Sequence, residues 1–392
     1  MDIPFRPPIH VAVNAHLLSG DRSYRSAGVH QYIAHLLTHL PDAGCQVTAL
    51  VGPDAALLDR VQRVVRSRWP TRWAVVRVMW EQVAQPRVLR RLGAELVHAP
   101  VFVGPLVSPC PLVVTVHDLS FIRFPRLFRP HNRLYLTALT RASVHKARRV
   151  IAVSAHAAAE TARLLDVDPA KISVVHHGVD PDFTPLPPDE IAAFRARHRL
   201  PERYILSLGT LEPRKNLLRL VEAFHRLRAP DLELVLAGGR GWYYQELFAR
   251  VKELGIEDRV LFPGYVPRDE LVLWYNAATV FALPSLYEGF GMPILEAQAC
   301  GVPVLTSDCA ALPEAAGDGA LLVDPWSVEE IAAGLERLLG DAALGEQLRE
   351  KGLIHASAHT WRKTAVETVK VYRQAVFGGG VTARSANCPS RS

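Results

Sequence analysis

Closely spaced cysteine pairs are missing from this sequence. Its five cysteines (Cys45, Cys110, Cys300, Cys309 and Cys388) are scattered through 392 residues, odd in number and without a C-x-x-C pair. That argues against a disulfide framework and a cysteine-based zinc cluster, and predicts reduced thiols in a cytoplasmic compartment. No G-x-G-x-x-G follows the first apolar strand of either half, which disfavours a dinucleotide-dependent dehydrogenase. The N-terminal stretch MDIPFRPPIHVAV has no basic region followed by an unbroken apolar run, so no secretory leader is expected. Long apolar helices are lacking too. Residues 96–117 carry no Asp, Glu, Lys or Arg, but Pro100, Pro105, Pro109 and Pro111 would break a spanning helix repeatedly. The stretch reads instead as two short buried strands, ELVHAP and LVVTVH.

What is present is a globular composition, 49% hydrophobic and 21% charged. The length suits two domains of roughly 100–200 residues each. The net charge of +6 is unevenly placed: residues 1–180 hold 22 basic and 12 acidic side chains, and residues 181–392 hold 23 and 27. A basic first half fits either an anionic partner, such as a negatively charged membrane surface, or an arginine-rich solvated face. No nucleic-acid partner is expected. Short apolar runs alternate with helical patterns through most of the chain. HVAVNAH, QVTALVG, ELVHAP, LVVTVHD and RRVIAVSA form one series; YILSLGT, LELVLAGG, RVLFPGY, TVFALPS, VPVLTSD and ALLVDP form a second. This alternation predicts an α/β protein with two parallel sheets, each covered by helices on both faces. The break falls at HHGVDPDFTPLPPDE, residues 176–190, whose prolines make a semi-rigid connector. The expected domains are therefore 1–180 and 181–360. A helix over 361–377 is expected to pack back on the first domain, followed by a disordered tail, 378–392.

One stretch concentrates the chemistry: SLYEGFGMPILEAQACGVPV, residues 285–304. Gly289 and Gly291 allow close approach to the backbone, and Pro293 suits the first turn of a helix. The turn would present the backbone N–H groups of Gly289, Phe290, Gly291 and Met292 at a helix N-terminus, a ready site for phosphate. Glu288 and Glu296 flank it. Carboxylates accept hydrogen bonds from hydroxyls, so the stretch reads as a holder for a sugar nucleotide, Glu288 taking sugar hydroxyls and Glu296 the ribose diol. The competing reading has both glutamates merely complementing a helix dipole.

YEGFGMPILEAQACGVPV resembles the E-x7-E signature of the retaining group 1 glycosyltransferases of the GT-B fold. GTLEPRKNLLRLVEAF, GYVPRDEL, LPEAAGDGALLVDP and VHDLSFIRFP stand where that family would place them, so the resemblance covers nearly the whole chain. It extends, less specifically, to bacterial mannosyltransferases of cell-surface polysaccharide assembly. It implies two Rossmann-like domains facing a cleft, the first binding the acceptor and the second the nucleotide sugar. It further implies that Arg214 and Lys215 clamp the donor diphosphate and stabilise the leaving nucleotide, charge placed where charge develops. The family often has an arginine shortly after the strand's glycine; here Thr210 stands there. By the same resemblance His117 sits beside the reacting sugar, a structural histidine being the other reading. Gly28 lets the donor phosphates approach, a plain helix-start turn being its alternative. Asp118 is an acceptor-orienting candidate.

The resulting expectation is a cytoplasmic hexosyltransferase without a metal or other cofactor. His117, Glu288, Arg214 and Lys215 are its catalytic candidates, and GDP-mannose is the preferred donor, with UDP-glucose and relatives open. The acceptor is a glycan or a lipid-linked hydroxyl. A sugar-nucleotide epimerase of the same architecture and a non-catalytic sugar-nucleotide-binding subunit are the rivals. The D-x-D pairs at 166–168 and 180–182 read as loop chemistry, and His176-His177 as a turn, not as metal ligands. The arginine-rich segment 123–149 reads as a solvated helix face or as a peripheral contact with an anionic membrane.

Overall fold

The computed structural model describes residues 7–18, 27–55, 61–125 and 130–378. The expected tail beyond Gly378 lies outside the described residues. The first sheet takes β1 Ile9–Asn14, β2 Cys45–Val51, β3 Arg63–Arg66, β4 Leu96–Ala99, β5 Leu112–Val116, β6 Arg149–Ala152 and β7 Ile172–Val174. Its order is β3-β2-β1-β4-β5-β6-β7. The second takes β8 Arg203–Leu208, β9 Leu232–Ala237, β10 Val260–Gly264, β11 Val280–Leu283, β12 Val304–Ser307 and β13 Ala320–Val323, in the order β10-β9-β8-β11-β12-β13. Every pairing among these strands is parallel. The protein thus has the α/β architecture of two parallel-sheet domains that its apolar pattern implied. β4 and β5, the uncharged 96–117 stretch, are buried throughout because helices cover both faces of the sheet. Among the described residues no helix is long and apolar enough to cross a membrane.

The chain crosses between the domains twice, side by side. Val179 bridges Thr360 in parallel, and its N–H donates to the His359 carbonyl at 2.9 Å. Gly178 lies so close to Trp361 that a Cβ there would collide with its backbone nitrogen. The helix Trp361–Phe377 then packs on the first sheet. Trp361, Val369 and Tyr372 share a core with Val11, Ile33 and Leu36. Trp361 stacks on His35 at 4.5 Å, and Tyr372 Oη and His98 Nδ1 are hydrogen-bonded at 2.7 Å.

The domains also touch across the cleft. Ser154 caps the helix Ala155–Leu165 and donates its hydroxyl to the Gly289 carbonyl at 2.7 Å. The Ala155 N–H donates to the Glu314 carboxylate of the second domain at 2.8 Å. Tyr287 Oη donates to Glu160 at 2.5 Å and accepts from the Leu119 N–H at 3.0 Å.

Candidate active site

The second sheet reverses its strand order between β8 and β11, and open α/β sheets bind ligands at the carboxyl ends of such strands. After β8, Pro213–Lys215 form a short 3-10 turn. Asn216, left-handed at φ 59°, leads from it into the helix Leu217–Arg226. The Asn216 amide donates to the carbonyls of Pro284 (3.0 Å) and Pro325 (2.6 Å), and the Leu286 N–H donates to the Arg214 carbonyl at 2.9 Å. These bonds lace the loops after β8 and β11 together.

Glu288 is the result. Its Oε1 accepts from Lys215 Nζ at 2.6 Å and from the Ser285 hydroxyl at 3.0 Å, and its Oε2 accepts from Arg214 Nη1 at 2.7 Å. Burial pushes the Glu288 carboxyl up, but the Arg214 and Lys215 charges outweigh it and leave its pKa at about 2. Arg214 also donates from Nε and Nη2 to Glu212 Oε1, at 3.0 and 2.7 Å, and from Nη1 to the Tyr287 carbonyl at 2.8 Å. Burial disfavours the Arg214 charge, yet Glu288, Glu212 and Asp118 more than restore it. The planar guanidinium is fixed by its fork geometry, which a lysine could not reproduce.

Helix Met292–Ala299 begins at Gly291, whose φ of 125° favours glycine, with Pro293 in its first turn. The first backbone N–H groups of such a helix have no intrahelical partner. Glu296 projects from it and accepts from Tyr275 Oη at 2.8 Å. Burial raises its pKa against the Arg268 charge and the Tyr275 bond.

A cavity of about 410 Å³ brings both domains to these groups. The second domain lines it with Thr210, Arg214, Lys215, Glu288, Phe290, Gly291, Met292 and Glu296; the first contributes Gly28 and His117. His117 Nε2 meets the Pro100 carbonyl at 2.8 Å and therefore donates to it. Burial lowers the His117 pKa despite that carbonyl and Asp118, so the ring is neutral. Asp118 and Gly289 are absent from the lining. Asp118 Oδ1 accepts from the Ser120 N–H (2.9 Å) and hydroxyl (2.7 Å). Gly289 packs against the His117 carbonyl, where a Cβ would collide.

Other residues join the site that the motifs did not single out. Glu212 holds Arg214. Arg268, from the GYVPRDEL segment, lines the cavity and is held by Asp180 of the connector at 2.7 Å. It adds a positive charge to the cavity wall. His177 also lines the cavity, stacked on His117 at 5.4 Å. The spacing of E-P-R could have suggested Glu212; Arg268 and His177 reach the cavity only through the tertiary fold. The D-x-D residues serve loops: Asp166 ends a helix at φ 58°, and Asp168 accepts from the Ala170 N–H. In the arginine-rich segment, Arg123 pairs with Glu160 at 3.2 Å, and Arg149 donates to Ser173 at 2.8 Å. Arg133, Arg141, Lys146 and Arg148 are exposed, while Arg126 and Arg129 lie outside the described residues.

Such a site can gather phosphates on Arg214, Lys215 and the helix N-terminus, and hydroxyls on its carboxylates. Comparison with known proteins shows the family. Residues 189–354 match the family described as "Glycosyl transferases group 1", and residues 26–183 match "Glycosyltransferase Family 4". The chain is 34% identical over 269 residues to the O-antigen chain mannosyltransferase B of Escherichia coli, covering 67% of this chain and 70% of that protein. Among solved structures, sucrose-phosphate synthase from Thermosynechococcus elongatus superposes with a TM-score of 0.76 at 22% identity, covering 93% and 98% of the two chains. Anabaena HepE in complex with UDP-glucose gives 0.71 at 20%, covering 92% and 99%. The chain belongs to the retaining group 1 glycosyltransferases of the GT-B fold.

Proposed function

We propose that this protein moves mannose from GDP-mannose to a hydroxyl of a glycan or lipid-linked acceptor, with retention of configuration and without a metal ion. The observation that carries the reading is Glu288, buried at the cavity wall and bridging Arg214 and Lys215. In the ligand-free site this carboxylate neutralises the cations. On donor binding, Arg214 and Lys215 turn their charge to the diphosphate and Glu288 takes sugar hydroxyls. As the anomeric C–O bond breaks, negative charge grows on the leaving phosphate beside two fixed cations. The acceptor hydroxyl attacks from the same face, and its proton goes to the departing phosphate oxygen. The mannosyl preference is supported by the likeness to the O-antigen mannosyltransferase; HepE, bound to UDP-glucose, makes that donor the control.

Peripheral contact with an anionic membrane on the cytoplasmic side belongs to the same reading. Exposed apolar and arginine side chains follow one another along residues 72–91 of the first domain, and the described cysteines are free thiols.

The test is Lys215→Ala. Loss of one electrostatic stabiliser typically lowers kcat by ~10²–10³, and that drop is expected here with circular dichroism unchanged. GDP-mannose should raise the wild-type melting temperature more than UDP-glucose does. Near-normal turnover in Lys215→Ala would remove the clamp from the mechanism. Conversion of the donor to an epimer without acceptor would replace a transferase by an epimerase.

A further inference from the structure

The first sheet has its own reversal point, between β1 and β4, and a second recess opens there. It measures about 60 Å³, room for one edge of a sugar ring. Asn14 at the end of β1, Arg77, Val78, Glu81, Phe102 and Tyr135 are among its lining.

Glu81 is its most telling residue. It is only 4% exposed, and Asn14 Nδ2 donates to its Oε1 at 2.9 Å. Its Oε2 is buried and has no hydrogen-bond partner. An unsatisfied buried acceptor is destabilising, so a purely internal brace would be expected to close that valence. The backbone around it is also unusual. Trp80–Ala84 form a π-helical turn, a feature frequent at functional sites. Gln82 of that turn clasps the Gly104 carbonyl (3.0 Å) and the Leu106 N–H (2.9 Å), holding the loop after β4 in place. In that loop Phe102 sits at φ 45°, a strained region for a bulky side chain. Its ring stands edge-on to His117 at 6.1 Å, and His117 lines the donor cavity. The recess is therefore one aromatic ring away from the donor cavity, on the opposite lobe.

We propose that this recess is an acceptor subsite for the edge of an uncharged hexose, whose hydroxyl donates a hydrogen bond to Glu81 Oε2. The assignment rests on the glycosyltransferase reading above. The hydroxyl donates to the ionised carboxyl, whose Oε2 can only accept. Burial pushes Glu81 up to about 7 against the Asn14 bond and the Arg77 charge. An acceptor phosphate would be repelled by the carboxylate form, and the one lining arginine, Arg77, is already paired with Glu81 Oε1 at 4.0 Å.

The test compares the full-length protein with Glu81→Gln and Val78→Phe, using GDP-mannose and a panel of octyl α- and β-hexosides. Glu81→Gln keeps an oxygen for Asn14 and replaces the open acceptor by an NH2 group. Losing a hydrogen bond to a charged group costs ~1.5–3 kcal/mol. The KM for the accepted hexoside should thus rise about tenfold or more, with donor Kd and kcat changing far less. Val78→Phe, which narrows the recess from its rim, should raise the same KM and decides the matter alone if Glu81→Gln does not fold. An unchanged hexoside KM in both variants overturns the subsite. So does a loss of donor affinity and thermal stability in step with KM, which marks an internal brace. Wild-type protein that hydrolyses GDP-mannose but glycosylates no hexoside overturns the acceptor class. Failure to bind or turn over any nucleotide sugar would instead defeat the transferase reading, and the subsite with it.

Discussion

At the scale of single residues, the site rests on a carboxylate that two neighbouring cations keep ionised. Glu288 is depressed to about 2 from an ordinary value of 4.5, because two cations face one buried carboxylate. The unfolded chain takes up a proton near pH 4.5 that the folded site refuses until about pH 2. The stabilisation is therefore complete above pH 4.5 and is lost as pH falls toward 2. A depression of that size corresponds to about 3 kcal/mol. Urea unfolding of wild type and Glu288→Gln at pH 7, 5, 4 and 3 should show wild type losing its advantage through this window. Parallel pH dependences in the two proteins would mean that the triad does not hold its charge. Much of this site was legible in the sequence: the motif residues Glu288, Glu296, Arg214, Lys215, His117 and Gly28 all reach one cavity. The partners were not. Glu160 meets Tyr287, and Asp180 meets Arg268, only after the domains dock, and no local spacing encodes that.

At the scale of elements, apolar runs announced the central strands, because a strand buried on both faces has little use for charge. β3, RVVR, and β7, ISV, escaped that pattern for the complementary reason. Both are edge strands with partly exposed residues, so arginine and serine are tolerated there. The π turn at Trp80–Ala84 was equally hidden, since WEQVA carries no proline or glycine to mark it. The loop holding Gly289 is glycine-rich, which on sequence grounds suggests a phosphate contact. In the fold that glycine permits something else, a close approach to the β5 loop of the opposite domain. Gly289→Ala places a methyl group against the His117 carbonyl and 3.0 Å from Asp118 Cβ. The loops must then separate. A misplacement of about 1 Å can cost ~10²-fold in rate, and a drop of that order in kcat is expected. The donor should still bind, since the groups proposed above to hold its phosphates and ribose stay on the second domain. Calorimetry with GDP-mannose and small-angle scattering with and without it would check this. Unchanged kcat with an unchanged donor-bound radius of gyration would show that the contact is dispensable.

At the scale of the whole molecule, charge and apolar exposure coincide along one helical stretch of the first domain. Residues 60–91 carry nine arginines and a single acid, Glu81, which faces inward. On the outer face of the helical stretch 74–92 and the turn leading into it, Trp73 is 62% exposed, Val75 73%, Met79 53% and Val83 49%. Arg72, Arg87, Arg90 and Arg91 are exposed around them, and Leu134 stands out from the neighbouring helix. An apolar strip rimmed by arginine is what an interfacial helix offers an anionic bilayer. The same helical stretch turns Glu81 and Arg77 to the proposed acceptor subsite on its inner side. A lipid-linked glycan held at the membrane would therefore reach the recess around one helix, without crossing the protein. Each basic residue near such a surface contributes ~1 kcal/mol, and salt screens it. The protein should co-sediment with vesicles containing phosphatidylglycerol and not with neutral phosphatidylcholine vesicles, and should be released by high salt. Met79→Asp with Val83→Asp should abolish sedimentation while leaving the GDP-mannose-induced rise in melting temperature intact. If the double variant still binds as tightly as wild type, the apolar strip is not the docking surface. The basic excess of the first domain then serves only to keep that face solvated.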